Sequence, residues 1–126
     1  MWLAVAGGLG TLARYGLTQF VQRLHEPGFP WGTLLVNLLG CFAFALIWAL
    51  AERHFQESAE LRLVVLVGFM GAFTTYSTFT FQTGELIAEK QYAAALANVA
   101  IHNLAGLLAL FAGLAAGTKL ADRFQA

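Results

Sequence analysis

From Gly68 to Gly84 the chain reads Gly-Phe-Met-Gly-Ala-Phe-Thr-Thr-Tyr-Ser-Thr-Phe-Thr-Phe-Gln-Thr-Gly, which sets hydroxyls, aromatic rings and glycines inside a stretch otherwise apolar enough to cross a membrane. A bilayer core offers no water to polar groups, so such a segment is tolerated only where it faces other protein or lines a path for something polar. Gly68 and Gly71 precede Thr74, Thr75, Ser77, Thr78, Thr80 and Thr83. Hydroxyls at that density compete for backbone hydrogen bonds while glycine relaxes a helix, which predicts a break near Gly71 to Thr75. Unwound carbonyls and half-helix ends at membrane depth coordinate ions without a charged side chain. Tyr76 and Phe79 lie three apart on one face, and an aromatic ring is positive at its edge, so edge-on rings can contact an anion. The chemistry on offer is ion handling. No nucleophile and base occur at a useful spacing in any loop, so an enzyme is not expected.

These groups need long apolar elements to hold them, and the composition supplies such elements. The chain of 126 residues is 59% hydrophobic and 11% charged, against roughly 45 to 50% apolar in a soluble domain. Charges cluster at Arg23 to Glu26, Glu52 to Arg62, Glu85 to Lys90 and Lys119 to Arg123, with Arg14 the exception. Between the clusters lie four uncharged stretches of the length that crosses a hydrocarbon core of roughly 30 Å. The expected fold is all-α and integral to the membrane. Its four transmembrane helices fall at about 2–23, 31–51, 62–88 and 91–118, in a single domain over residues 1–126 with no room for a soluble one. The first span carries an internal Arg and does not read as a cleaved signal peptide.

A formal net charge of zero leaves no basic patch for a nucleic acid. The lone Cys41 excludes an internal disulfide, and His25, His54 and His102 share no zinc-ligand spacing. Four helices place both termini on one side, so Arg53, Arg62, Lys119 and Arg123 face Arg23 and Lys90 across the membrane. Orientation follows Lys and Arg in short loops, and so small a bias predicts that both orientations are populated.

Each helix also carries one stripe unsuited to lipid. Gly7, Thr11, Arg14 and Thr18 share a face of the first, and Thr33, Asn37, Gly40 or Cys41, and Phe44 a face of the second. In the fourth, Asn98, His102, Ala105, Ala109, Gly113 and Gly117 run from polar to small, the pattern that lets helix backbones approach. A four-helix monomer has little interior for so many stripes, so a homo-oligomer is expected. Trp2, Trp31 and Trp48 sit near helix ends as interfacial anchors.

The run Gly71-Ala-Phe-Thr-Thr-Tyr-Ser-Thr-Phe79, with Trp31-Gly-Thr-Leu-Leu-Val-Asn37 and Gly-Thr-Leu-Ala-Arg14-Tyr, resembles the Fluc (CrcB) fluoride channels over essentially the whole chain. The resemblance implies a dual-topology, antiparallel homodimer in the bacterial cytoplasmic (inner) membrane. It would export fluoride passively through two pores and so relieve fluoride toxicity. The third helix would be broken at mid-membrane. Backbone carbonyls of Gly71 and Thr74 from both subunits would hold a structural sodium ion at the dimer centre. Phe79 and Tyr76 would form the aromatic box, Asn37 would donate an amide to the fluoride path, and Ser77 and Thr78 would add hydroxyls. Arg14 would draw anions into a vestibule, and Asn98 and His102 would line the pore from the fourth helix.

This chain departs from the family pattern at Tyr76, where Phe is usual, and at Gln82, where several members have Glu. At Asn98 and His102 relatives often place Tyr and Ser. The rival reading from another class is a small dual-topology proton-coupled exporter, which needs an exchangeable carboxylate in the membrane. Glu85 is the deepest candidate for that role. A non-transporting assembly subunit would have no use for a broken helix or buried hydroxyls.

Overall fold

The structure is a computed structural model that describes residues 1–54 and 59–123, with the backbone alone at residues 53 and 54. Arg53 of the charge count, and residues 55–58 and 124–126 of the expected domain, therefore lie outside the described side chains. All regular structure among the described residues is helical.

Helix α1 (Trp2–Arg23) and helix α2 (Trp31–His54) form an antiparallel pair. Their connection is short and pinned by one side chain: Gln22 Nε2 donates to the Phe29 carbonyl at 3.0 Å, and Gly32 N–H donates to Gln22 Oε1 at 3.3 Å. Gly28 takes the turn at φ 116°, a conformation open to glycine at little steric cost. Pro30 then stands just ahead of Trp31, where a missing N–H costs a helix nothing.

The third span is assembled from pieces. Helix α3 (Ala59–Arg62) continues into a π-helical stretch (Leu63–Met70) and a final turn, α4 (Gly71–Phe73). The wider winding shows in Gly71 N–H, which donates to Leu66 O five residues back. Thr74 (φ −85°, ψ 157°) and Thr75 (φ −150°, ψ 112°) are extended, and helix α5 (Tyr76–Ala88) resumes beyond them. The interruption therefore sits at the C-terminal edge of the expected window. A short link with Lys90 at φ 61° leads to helix α6 (Tyr92–Arg123).

Small residues set how closely these helices approach. A Cβ on Gly113 would run into the Phe42 carbonyl oxygen, and one on Gly117 would meet Leu46 O at 2.7 Å and Ala49 Cβ at 2.8 Å. The two glycines lie four apart on one face, so α6 lies directly on the backbone of α2. Val36, Met70 and Phe73 form a buried cluster, with Leu17, Ala43, Ile47 and Phe69 packed around it. It joins α2 to the turns just before the break.

Large apolar side chains cover much of the outside: Leu12, Leu96, Leu104, Leu108 and Phe111 are all exposed. In water a surface of this kind would aggregate, whereas in lipid it is the expected covering. Among the described residues, three helical stretches are long and apolar enough to cross a membrane by length and composition: Trp31–Glu52, Ala59–Ala88 and Tyr92–Arg123. The chain is thus a multi-pass membrane protein. Helix α1, counted from sequence as a fourth span, has a comparable length of about 33 Å at 1.5 Å per residue. It lacks the apolar content, because Thr11, Arg14, Thr18, Gln19 and Gln22 interrupt it.

Candidate functional site

Two residues replace the helical hydrogen bonds lost at the break. In an unbroken helix Thr75 N–H would donate to the Gly71 carbonyl; here it donates to Asn37 Oδ1 at 2.9 Å. Asn37 Nδ2 donates in turn to the Thr75 carbonyl at 3.1 Å. One amide side chain on α2 thus imitates the edge of a β-strand and holds the extended residue. An amide nitrogen carries two hydrogens, so this pair leaves one Nδ2 hydrogen of Asn37 uncommitted by it.

Thr75 is also the N-cap of α5. Its Oγ1 accepts from Thr78 N–H at 3.2 Å, donates to Thr78 Oγ1 at 3.0 Å, and lies 3.3 Å from Ser77 Oγ. The hydroxyl three residues ahead of the N3 amide is the usual way to satisfy an orphan donor. Thr78 N–H is thereby withdrawn from the Thr74 carbonyl, its partner in a continuous helix. The break therefore removes the helical N–H from the carbonyls of residues 71–74, those of Gly71 and Thr74 among them. On the side facing α1, Arg14 Nε donates to the Ala72 carbonyl at 3.1 Å. That bond ties the charge in the middle of α1 to the same turn.

Behind the break lies a cavity of about 330 Å³ lined chiefly from α2, α5 and α6. Asn37, Thr74, Thr75, Tyr76, Phe79 and His102 contribute to its wall. Gly40 lines it too, and a Cβ there would collide with Thr74 Cγ2, so a larger residue at this position would require the Thr74 side chain to turn aside. Tyr76 and Phe79 are tilted by 51° with ring centroids 5.5 Å apart. Phe79 is 7% exposed and Tyr76 79% exposed. One ring belongs to the interior of the protomer and the other to its surface.

On α6, Asn98 is completely buried. Its Nδ2 donates to Thr83 Oγ1 at 2.9 Å, and Thr83 Oγ1 donates to the Phe79 carbonyl at 2.8 Å. His102 stands one turn on, with its ring 4.4 Å from that of Phe79 and its Nδ1 hydrogen-bonded to the Asn98 carbonyl at 3.0 Å. Asn98 Oδ1 and His102 Nε2 are buried with no partner.

The residues expected from sequence thus fall into three groups. Asn37, Tyr76, Phe79 and His102 share the cavity, with Thr74 at its edge. Ser77 and Thr78 gather on the Thr75 hydroxyl. Asn98 braces α5 from behind, and Arg14 grips the opposite side of the break through Ala72. Two residues with central positions had no assigned role in the sequence reading, Thr75 and Thr83. For Thr75 a signal was present, since a Thr followed three residues later by Thr78 at a helix restart is an N-cap pattern. Asn37, expected to serve the path with its amide, spends one donor and one acceptor on the backbone of Thr75.

A family model described as CrcB-like protein, Camphor Resistance (CrcB), matches residues 1–114. A protein of Solidesulfovibrio magneticus named "Fluoride-specific ion channel FluC" is 49% identical over 116 residues, covering 92% of this chain and 93% of the relative. Proteins of the same name from Nitrosococcus oceani and Desulforapulum autotrophicum are each 47% identical, over 89% and 93% of this chain and 90% and 94% of the relatives. With a helical bundle, a break latched from α2 and near-complete coverage at such identity, the chain belongs to the CrcB-like family.

Proposed function

We propose that the chain is a fluoride-selective channel, working as an antiparallel homodimer with two pores in a bacterial inner membrane and exporting fluoride passively. Its relatives carry the name of fluoride-specific ion channels. The observation that carries the reading is the wall of the cavity. The amides of Asn37 and Asn103, two threonines and the rings of Phe44, Tyr76 and Phe79 meet there beside His102, and none of the lining residues bears a fixed carboxylate, ammonium or guanidinium.

Fluoride is small and tightly hydrated, so a selective path must replace its water with donors without a charge that would trap it. Asn37 supplies its second Nδ2 hydrogen, Phe79 and Tyr76 supply positive ring edges, and Ser77 and Thr78 supply hydroxyls at the cap of α5. Thr83 and Asn98 act one step back, fixing α5 and α6 around Phe79. Arg14, held on Ala72, adds a positive potential beside the break that favours entry of an anion. The family and the names of its relatives are those of ion channels, so the protein is read as a channel rather than an enzyme.

The residues at the break fit a sodium ion. The carbonyls of Gly71 and Thr74 have lost their helical donors to Asn37 and to the Thr75 hydroxyl. Oxygen ligands suit a hard cation. Gly71 is exposed on the protomer surface, where a second copy could bring the same two carbonyls. Sodium there would supply positive charge and join the subunits.

The test is transport in purified proteoliposomes, with fluoride release read by electrode in the presence and absence of an imposed proton gradient. Release at the same rate in both conditions, with chloride retained, is expected for a passive channel. Release only when protons move the other way would favour the coupled exporter and direct attention to Glu85.

A further inference from the structure

His102 Nδ1 is bonded to a main-chain carbonyl, and a carbonyl oxygen can only accept. Nδ1 therefore carries the hydrogen, and in the neutral ring Nε2 must be the bare lone pair. That lone pair is buried and has no partner. A residue lining an anion path thus holds an uncompensated acceptor in its neutral state, which repels the ion the path would carry. A proton on Nε2 reverses this: the ring gains a second N–H donor and a positive charge 4.4 Å from the centre of the Phe79 ring, and cations at such distances are held by aromatic faces.

Among the residues lining the cavity around His102 none carries a fixed charge. From α5 it meets Phe79, with the Tyr76 phenol on the same wall; from α2 it meets the cavity face of Asn37, Cys41 and Phe44; from its own helix, Asn98 and Asn103. Cys41 and Tyr76 are the other titratable members of the cavity wall. No carboxylate lines the cavity to hold the imidazolium permanently.

We infer that His102 makes this channel acid-responsive: fluoride flux is low while Nε2 is bare and rises when Nε2 is protonated. The proton is returned when the pH rises, and the transport remains passive in each state. The inference rests on the fluoride-channel reading of the same cavity and adds a regulation to it that belongs to a histidine at this position.

The experiment measures initial fluoride efflux from proteoliposomes at equal pH on both sides, stepped from about pH 8 to pH 5.5, the span in which imidazoles change charge. Protein-free vesicles at each pH subtract the leak of neutral hydrogen fluoride. Wild-type flux should rise by roughly fivefold or more across the range, while His102→Gln, whatever its absolute rate, should give a flat profile. Robust wild-type flux that is flat with pH would overturn the inference and leave the channel reading intact. A slope that survives in His102→Gln would assign it to another group and likewise overturn it. Absence of flux at every pH would instead remove the channel reading and this inference together. Should His102→Gln fail to fold, nitrogen NMR of the histidine rings in wild-type protein replaces it. Fluoride should then move the His102 protonation midpoint upward because an anion stabilises the cation, and a midpoint indifferent to fluoride would contradict the inference.

Discussion

Asn37 and Thr75 exchange two hydrogen bonds across 38 residues of sequence, Nδ2 to the Thr75 carbonyl at 3.1 Å and Thr75 N–H to Oδ1 at 2.9 Å. The pair gives the third span a defined break, because it satisfies both main-chain groups that an extended residue would otherwise leave bare. Asn37→Asp keeps the acceptor and loses the donor, and it turns a carboxylate oxygen toward the Thr75 carbonyl. The unsatisfied pair should cost about 1 to 3 kcal/mol, and the negative charge should repel an entering anion. Fluoride efflux from Asn37→Asp vesicles should fall at least tenfold with the protein still folded; normal efflux would reduce Asn37 to a packing residue.

Thr75→Val retains the shape of the side chain and removes the cap of α5. Losing the bond from Thr78 N–H should cost about 1 kcal/mol, seen as a lower midpoint in thermal unfolding of the detergent-solubilised protein. Thr75→Ser, which keeps the oxygen, should recover most of it. Equal midpoints for the two variants would mean that the restart of α5 is held by Asn37 alone.

Gly113 and Gly84 offer a contrast on two helices. A Cβ on Gly113 would strike the Phe42 carbonyl, whereas nothing lies within 4 Å of one on Gly84. Gly113→Ala should force α6 away from α2 at a cost of about 1 to 3 kcal/mol, with a large loss of folded protein on size-exclusion chromatography. Gly84→Ala should be neutral or stabilising by up to about 1 kcal/mol, since alanine is the better helix former. A Gly113→Ala protein as stable as Gly84→Ala would contradict the close approach of α6 to α2.

Sodium removal tests the carbonyl site. In buffer where a bulky organic cation replaces sodium, the proposed homodimer should dissociate more readily, because the carbonyls of the exposed Gly71 and of Thr74 would then, on that proposal, meet those of a second copy without a cation between them. Cross-linking yield as a function of sodium concentration is the readout. A yield independent of sodium would remove the ion from the account.

Much of this arrangement was legible in the residues. Hydroxyl density and the two glycines marked the break within a few residues, since both act locally on the backbone. The polar-to-small stripe of α6 pointed to Gly113 and Gly117, which do lie against α2. Other features depend on pairings between distant segments and leave no local trace. The bonds from Asn37 to Thr75 and from Arg14 to Ala72 join residues 38 and 58 positions apart. The π-helical winding of Leu63–Met70 had no signal in an unbroken run of apolar residues. Helix α1 looked like a span by length and charge spacing, yet its Thr and Gln content sets it below the other three in apolarity.

The central claim is that an anion passes along the wall formed by Phe79 and Asn37, and Phe79→Ile tests it most directly. Isoleucine fills similar space and stays apolar while removing the positive ring edge. Fluoride efflux should be read by electrode from vesicles containing equal amounts of wild-type and Phe79→Ile protein, each shown by size-exclusion chromatography to be the folded dimer. The account predicts rapid release from the wild type and none above the protein-free leak from the variant. Undiminished release from Phe79→Ile would contradict it.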